Sequence, residues 1–263
     1  MDKRGVVFFL AMAFVVLVVF FYALTVLLNK QDKLERQIGE TQVAALHTYQ
    51  QAEQEKLHMR KVAEIAVPAA VLAVADGSHS PCILRFGVPL WSSDSGECHV
   101  TKIQLKEQFD AVLNGILEMY GKPRVETAII DKEGMRVSLV PDSQVLPIHC
   151  GIEVCGQYRF TPTAIVDISY QLDEYLAVHE KVIETLLPKL RDCAGVQICL
   201  DQTLQQAGDA QFTFSTECGQ DISPTNTDAI VACAISRQKF WHYNRRSGNM
   251  EYAPVRYRFA VEI

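Results

Sequence analysis

The chain opens on an uninterrupted apolar stretch. Gly5 to Leu28 reads GVVFFLAMAFVVLVVFFYALTVLL, with no charged residue, between Asp2-Lys3-Arg4 and Asn29-Lys30. A helix rises about 1.5 Å per residue, so this run suffices to cross a hydrocarbon core of about 30 Å. The pattern predicts a short cytoplasmic tail over 1–5 and a transmembrane helix over 6–28. The apolar core is too long for a cleaved signal, and Val26-Leu27-Leu28 before Asn29 is a poor cleavage site. A retained signal anchor is the better reading.

Past Lys30 the chain turns polar but keeps a helical period. Leu34, Ile38, Ala45, Tyr49, Ala52, Met59, Ala63, Ala66, Ala70 and Ala73 recur in steps of three and four, with Thr41 and Lys56 as polar gaps. Such spacing places them on one helix face and predicts an amphipathic helical stalk over 29–76. The face suits two arrangements: packing of its far half on the chain's own head, or a coiled coil between neighbouring copies. Pro68 is expected to bend or end the helix near Ile65 to Val67, with Ala69 to Ala75 resuming it. Asp76 to Pro81 then reads as a loop.

The remainder, 77–263, alternates short strand patterns with amphipathic helices. Ile83–Leu90 reads as a strand and Trp91–Gly96 as a polar loop. Thr101–Tyr120 reads as a helix with Ile103, Phe109, Val112, Leu113, Ile116, Leu117 and Tyr120 on its apolar face. Val125–Asp131 and Met135–Val140 form an expected hairpin. Strand patterns follow at Ile152–Phe160 and Thr163–Tyr170, helices at Asp173–Asp192 and about Val196–Gln206. The last strands are expected at Gln211–Thr216, Asp228–Ser236, Gln238–Tyr243 and Val255–Ile263. In the last, Val255, Tyr257, Phe259, Val261 and Ile263 alternate with Arg256, Arg258 and Glu262. The order predicts an α+β head with a mainly antiparallel sheet and two or three helices.

Charge adds little: 25 Lys+Arg against 31 Asp+Glu give a net −6, which argues against a nucleic-acid footprint over the whole domain. Cysteine adds more. Cys82, Cys98, Cys150, Cys155, Cys193, Cys199, Cys218 and Cys233 all lie beyond the span, as a disulfide framework in an oxidising compartment would have them. Neighbour pairing, 82 with 98, 150 with 155, 193 with 199 and 218 with 233, closes four short loops. The charges flanking the span nearly balance between the two orientations. The cysteines therefore decide for a head outside the cytoplasm.

No catalytic signature stands out. His179-Glu180 lacks the second histidine of a zinc protease, because Ile183 occupies that position; the pair is expected on a solvated helix face. Ser236-Arg237-Gln238-Lys239 fits S-x-x-K without the companion motifs of penicillin-binding enzymes. His149, Cys150 and Cys155 make a poor metal set if the cysteines are oxidised. No cofactor or metal site is expected. The one binding candidate is the basic and aromatic C-terminal region: Arg245, Arg246, Arg256 and Arg258 with Trp241 could hold an anionic glycan or similar envelope polymer.

The short basic leader ending in Gly5, the apolar helix, its amphipathic continuation and the strand-rich head resemble type IV pilin-like proteins. The processing motif of that family usually places Glu five residues after the glycine, where this chain has Leu10. The segment GETQVAALHTYQQAEQEKLHMRKVAEIA with the cysteine-bearing head resembles uncharacterised single-span surface proteins of archaea. These resemblances support that topology and imply no activity. The anchor, the stalk stripe and the missing motifs point to a membrane-anchored structural or interaction protein, and the coiled-coil arrangement of the stripe would make it a homo-oligomer through the stalk. A tethered enzyme or binding module acting on envelope polymers is the alternative.

Overall fold

The computed structural model describes residues 3–77, 79–93, 96–122, 125–131, 134–150, 152–193, 196–218, 229–244 and 247–262. The fold is α+β, with five α-helices and mostly antiparallel sheets among the described residues. The chain divides into two compact units, 1–54 with 143–160, and 55–142 with 161–263.

In the first unit, α1 (Lys3–Ala75) begins. It is the one helix among the described residues long and apolar enough to cross a membrane: 14–31 has a mean hydropathy of 1.9 and none of it is buried. Beside α1 in this unit lies a hairpin of β6 (Gln144–Cys150) and β7 (Glu153–Phe160). Its rings and backbone meet the helix: Tyr158 packs edge-on to Tyr49 at 6.0 Å, and the Thr48 hydroxyl faces the Pro147 carbonyl at 3.5 Å. Cys150 and Cys155 close the hairpin end, with Cα atoms 5.7 Å apart. β6 is not anticipated by its sequence, because Pro147 interrupts the strand pattern. It forms where an edge position spares proline its missing N–H.

The second unit is built on the last turns of α1. Met59, Ala63, Ala66 and Ala70, four members of the small-residue stripe, are buried there in one contiguous core. These residues share that core with strands and helices of the second unit. Alanine suits this, since it lets backbones approach closely at the helix surface. Pro68 does not end the helix, which continues past it to Ala75. Gly77, at φ +75°, then reverses the chain where an added Cβ would lie 2.4 Å from the Pro89 ring. Arg258 clamps the junction by donating from Nε and Nη2 to the two carboxylate oxygens of Asp76.

The stretch expected as one strand over 83–90 is instead a tight hairpin of β1 (Leu84–Arg85) and β2 (Val88–Ser93). Phe86 and Gly87 both take positive φ, 55° and 76°, the geometry of a type I′ turn that matches strand twist. The expected polar loop after it is also corrected: Trp91 and Ser92 are buried in β2, and β3 (Gly96–Glu97) pairs back onto it. Helix α2 (Lys102–Met119) starts at a capping box. The Gln104 N–H donates to Thr101 Oγ1, and the Thr101 N–H donates to Gln104 Oε1. Its buried face carries Leu105 in place of Ile103, which is exposed, because Leu105 lies one turn before Phe109.

β4 (Val125–Asp131) and β5 (Met135–Pro141) form the expected hairpin, and β8 (Ala164–Ile168) pairs with β5. The helix expected over 173–192 is α3 (Leu172–Lys181), a π turn (Val182–Leu186) and α4 (Leu187–Asp192). Pro188 accounts for the π turn: it lacks an N–H and would crowd the carbonyl four residues back, and widening the turn relieves both. The Leu187 N–H accordingly donates to the Val182 carbonyl, five residues back. After α5 (Gln197–Ala207), strands β9 (Phe212–Ser215), β10 (Ala229–Asn244) and β11 (Asn249–Glu262) complete a sheet ordered β1-β2-β11-β10-β9. The two strands expected over 228–243 are one, bulged between Ile235 and Lys239. β11 runs parallel to β2, the sheet's one parallel pairing among the described residues.

All four disulfides are the neighbour pairs expected from spacing: Cys82–Cys98, Cys150–Cys155, Cys193–Cys199 and Cys218–Cys233. Cα separations of 5.5–5.8 Å fit disulfide geometry.

Candidate functional site

The bulge in β10 sets one wall of a pocket of about 540 Å³. Ser236, Arg237 and Gln238 form the bulge, held by the Gln238 N–H donating to Ser236 Oγ and the Arg237 N–H donating to the Gln211 carbonyl. The start of α3 faces it with Asp173 and Glu174. The Gln238 amide nitrogen, oriented by its surroundings, donates to the Ser169 carbonyl at 2.8 Å and to Glu174 Oε2 at 3.3 Å. Bulges commonly re-aim side chains in this way beside binding sites.

The Tyr257 hydroxyl lies in the core near Glu174 and is held well above the ordinary phenol range. Burial is the main cause, and the neighbouring Tyr170 and Glu174 act in the same direction. Tyr175 is pushed up to about 12 by burial. Both phenols therefore remain protonated. Among the described residues, the pocket lining contains neither histidine nor cysteine. Ser236 is buried in a strand and Lys239 is exposed, so neither has the setting of an S-x-x-K nucleophile. Among the described residues, no group of three or more His, Cys, Asp or Glu could hold a metal ion. The arrangement suits recognition of a small polar group by hydrogen bonds.

The C-terminal binding candidates are dispersed. Arg245 and Arg246 lie outside the described residues. Arg258 is committed to Asp76. Arg256 is exposed on β11 and borders a groove that also holds Asp76, His242 and Glu251, which gives a mixed field there. Trp241 stands opposite Tyr252 across the β10–β11 ribbon, ring centroids 5.4 Å apart, both largely exposed.

His179 corrects the expectation of a solvated pair. It is buried, its ring lies 4.9 Å from Trp91, and Nε2 lies 2.8 Å from the Cys98 carbonyl, while Glu180 is exposed. The signal was present: Leu172, Tyr175, His179, Val182 and Leu186 follow steps of three and four. Burial holds the His179 imidazole below its usual range, with His99 acting the same way and the Cys98 carbonyl and Glu97 opposing. A lowered folded-state pKa means that the unfolded chain binds the proton more readily. The contribution is therefore complete above about pH 6.5 and is lost as the pH falls through the folded-state value. Chemical denaturation should show stability falling from about pH 7 to about pH 5, with part of that slope absent in His179→Gln. Equal slopes would contradict the assignment.

Comparison with known proteins finds no matching family model, no matching curated protein and no matching solved structure.

Proposed function

We propose that this chain is a single-pass membrane protein that displays a disulfide-bonded α+β head outside the cytoplasm as a structural or interaction component of the cell surface. The observation carrying this reading is the apolar, wholly unburied 14–31 window of α1. A soluble fold buries an apolar helix in its own core, and leaving this one bare calls for an apolar solvent. The disulfides supply the side: such bonds persist in oxidising compartments and are rare in the cytosol. With Met59, Ala63, Ala66 and Ala70 buried in the core of the second unit, self-association through the stripe falls to the helix segment nearer the span. The pilin-like layout is consistent with a component that assembles laterally.

Membrane fractionation and thiol labelling of intact cells test this. The protein should stay with membranes after an alkaline wash. It should react with an impermeant maleimide only after an impermeant reductant is added. Release by the wash, or a need to lyse the cells before any labelling, contradicts the topology. Cross-linking on cells tests the assembly part, which fails if the chain remains monomeric.

A further inference from the structure

We propose that the closed end of the β6–β7 hairpin is a lipid-contacting brace, docking on the headgroup layer beside the span. The proposal rests on the anchored reading above and concerns only the unit that contains the span.

Two contacts fix the hairpin's course. Pro147 lies against Thr48, and Cys150 Sγ lies 3.5 Å from the Thr41 hydroxyl. Along the helix, 48 to 41 covers about 10 Å; along the strand, 147 to 150 covers about the same. The hairpin therefore runs alongside α1 towards its N-terminus, with the closed end nearest the apolar segment. At that end Ile152 is 100% exposed and Val154 is 55% exposed, between His149 and Glu153, which are also exposed. A single exposed isoleucine is unremarkable on most surfaces. Its place here is informative, because the Cys150–Cys155 disulfide holds it at the part of the hairpin closest to the span.

Reach decides whether contact is feasible. Leu28, the last apolar residue of the run, is about 20 Å below Thr41 along the helix. The turn carries Ile152 about 5 Å further down than Cys150, leaving it about 15 Å above the hydrocarbon edge if the helix stands upright. The polar headgroup layer accounts for about 5–8 Å of that height. An upright helix therefore leaves the end just short of the lipid. The span, however, is about 36 Å long by its rise per residue against a core of about 30 Å, a mismatch that tilting relieves. A tilt of about 30° towards the hairpin, within the range seen for such helices, lowers the Ile152 backbone to about 8 Å, given about 10 Å between helix and hairpin. From there the isoleucine side chain enters the headgroup layer. The disulfide fixes the turn beforehand, so little chain entropy is lost on docking.

The test uses the full chain reconstituted in phosphatidylcholine vesicles, with the photo-crosslinking residue p-benzoylphenylalanine placed singly at position 152, 20 or 198. Phe20 reports the span, and Ile198, exposed on α5, reports a surface of the second unit. Lipid adducts read by mass spectrometry are expected at 20 and at 152, with the 152 yield several-fold above that at 198. Adducts at 20 with a 152 yield equal to that at 198 overturn the brace and leave the anchor standing. No adduct at 20 removes the anchor and the brace together. A cross-link from 152 to a second copy of the chain assigns the hairpin end to a protein neighbour and overturns the lipid contact.

Discussion

Trp91→Ala is expected to destabilise the second unit by about 3–5 kcal/mol, the usual range for truncating a large buried aromatic. Trp91 is wholly buried and stacks on Phe259, rings 4.5 Å apart and 9° from parallel. Tyr175 meets it edge-on at 5.8 Å and His179 lies across it at 4.9 Å. These partners come from β11 and α3, so no single element can close the cavity by moving. Urea titration of the full chain in mild detergent, followed by circular dichroism, would show a lower midpoint. Trp91→Phe should recover a large part of the loss because it retains the stack on Phe259. A midpoint for Trp91→Ala within error of the parent would show that the indole is not central to the core.

The second large effect is expected from opening the Cys82–Cys98 loop. Its sequence separation of 16 is the largest of the four. Closing a loop of that length restrains the unfolded chain by about 3 kcal/mol, against about 2 kcal/mol for a loop the length of Cys193–Cys199. The Cys82→Ser, Cys98→Ser double variant should therefore lose more stability than the Cys193→Ser, Cys199→Ser pair. The loop also carries Trp91, and its end supplies the carbonyl that faces His179. Part of the indole packing should loosen with it, making its combination with Trp91→Ala less than additive. The reverse order of the two disulfide variants would place the stabilisation in local packing, outside the chain-entropy account.

Features governed by local rules were readable from the chain. The helix over Thr101–Tyr120, the hairpin of Val125–Asp131 with Met135–Val140 and the alternation from Val255 to Val261 each depend on near neighbours. The neighbour disulfides are equally local. What could not be read depends on partners distant in sequence. Trp91 looked like part of a polar loop because Ser92 to Ser95 follow it; its burial is set by Phe259 and Tyr175. His179 was misjudged for the same reason, although its helical spacing pointed inward. β6 is the exception: its partner β7 follows it directly, and Pro147 hides it by interrupting the strand pattern. The pocket at the β10 bulge is not legible in the S-x-x-K match that covers Ser236 to Lys239, since Ser236 to Gln238 and the start of α3 opposite them meet only after the sheet forms. Arg258 read as a free surface cation, and only the end of α1 shows that Asp76 holds it.

The continuity of α1 limits where this protein can be cut. Residues of the same helix that follow the exposed window are core material: Met59, Ala63 and Ala66 are buried in the second unit. A protease cutting between the window and Thr41 would leave the hairpin's contacts with α1 and the core of the second unit on one fragment. One cutting within 59–70 would divide the buried stripe and take Met59 and its neighbours from the core of the second unit. Cuts that spare the fold and cuts that break it are thus separated by a few helical turns.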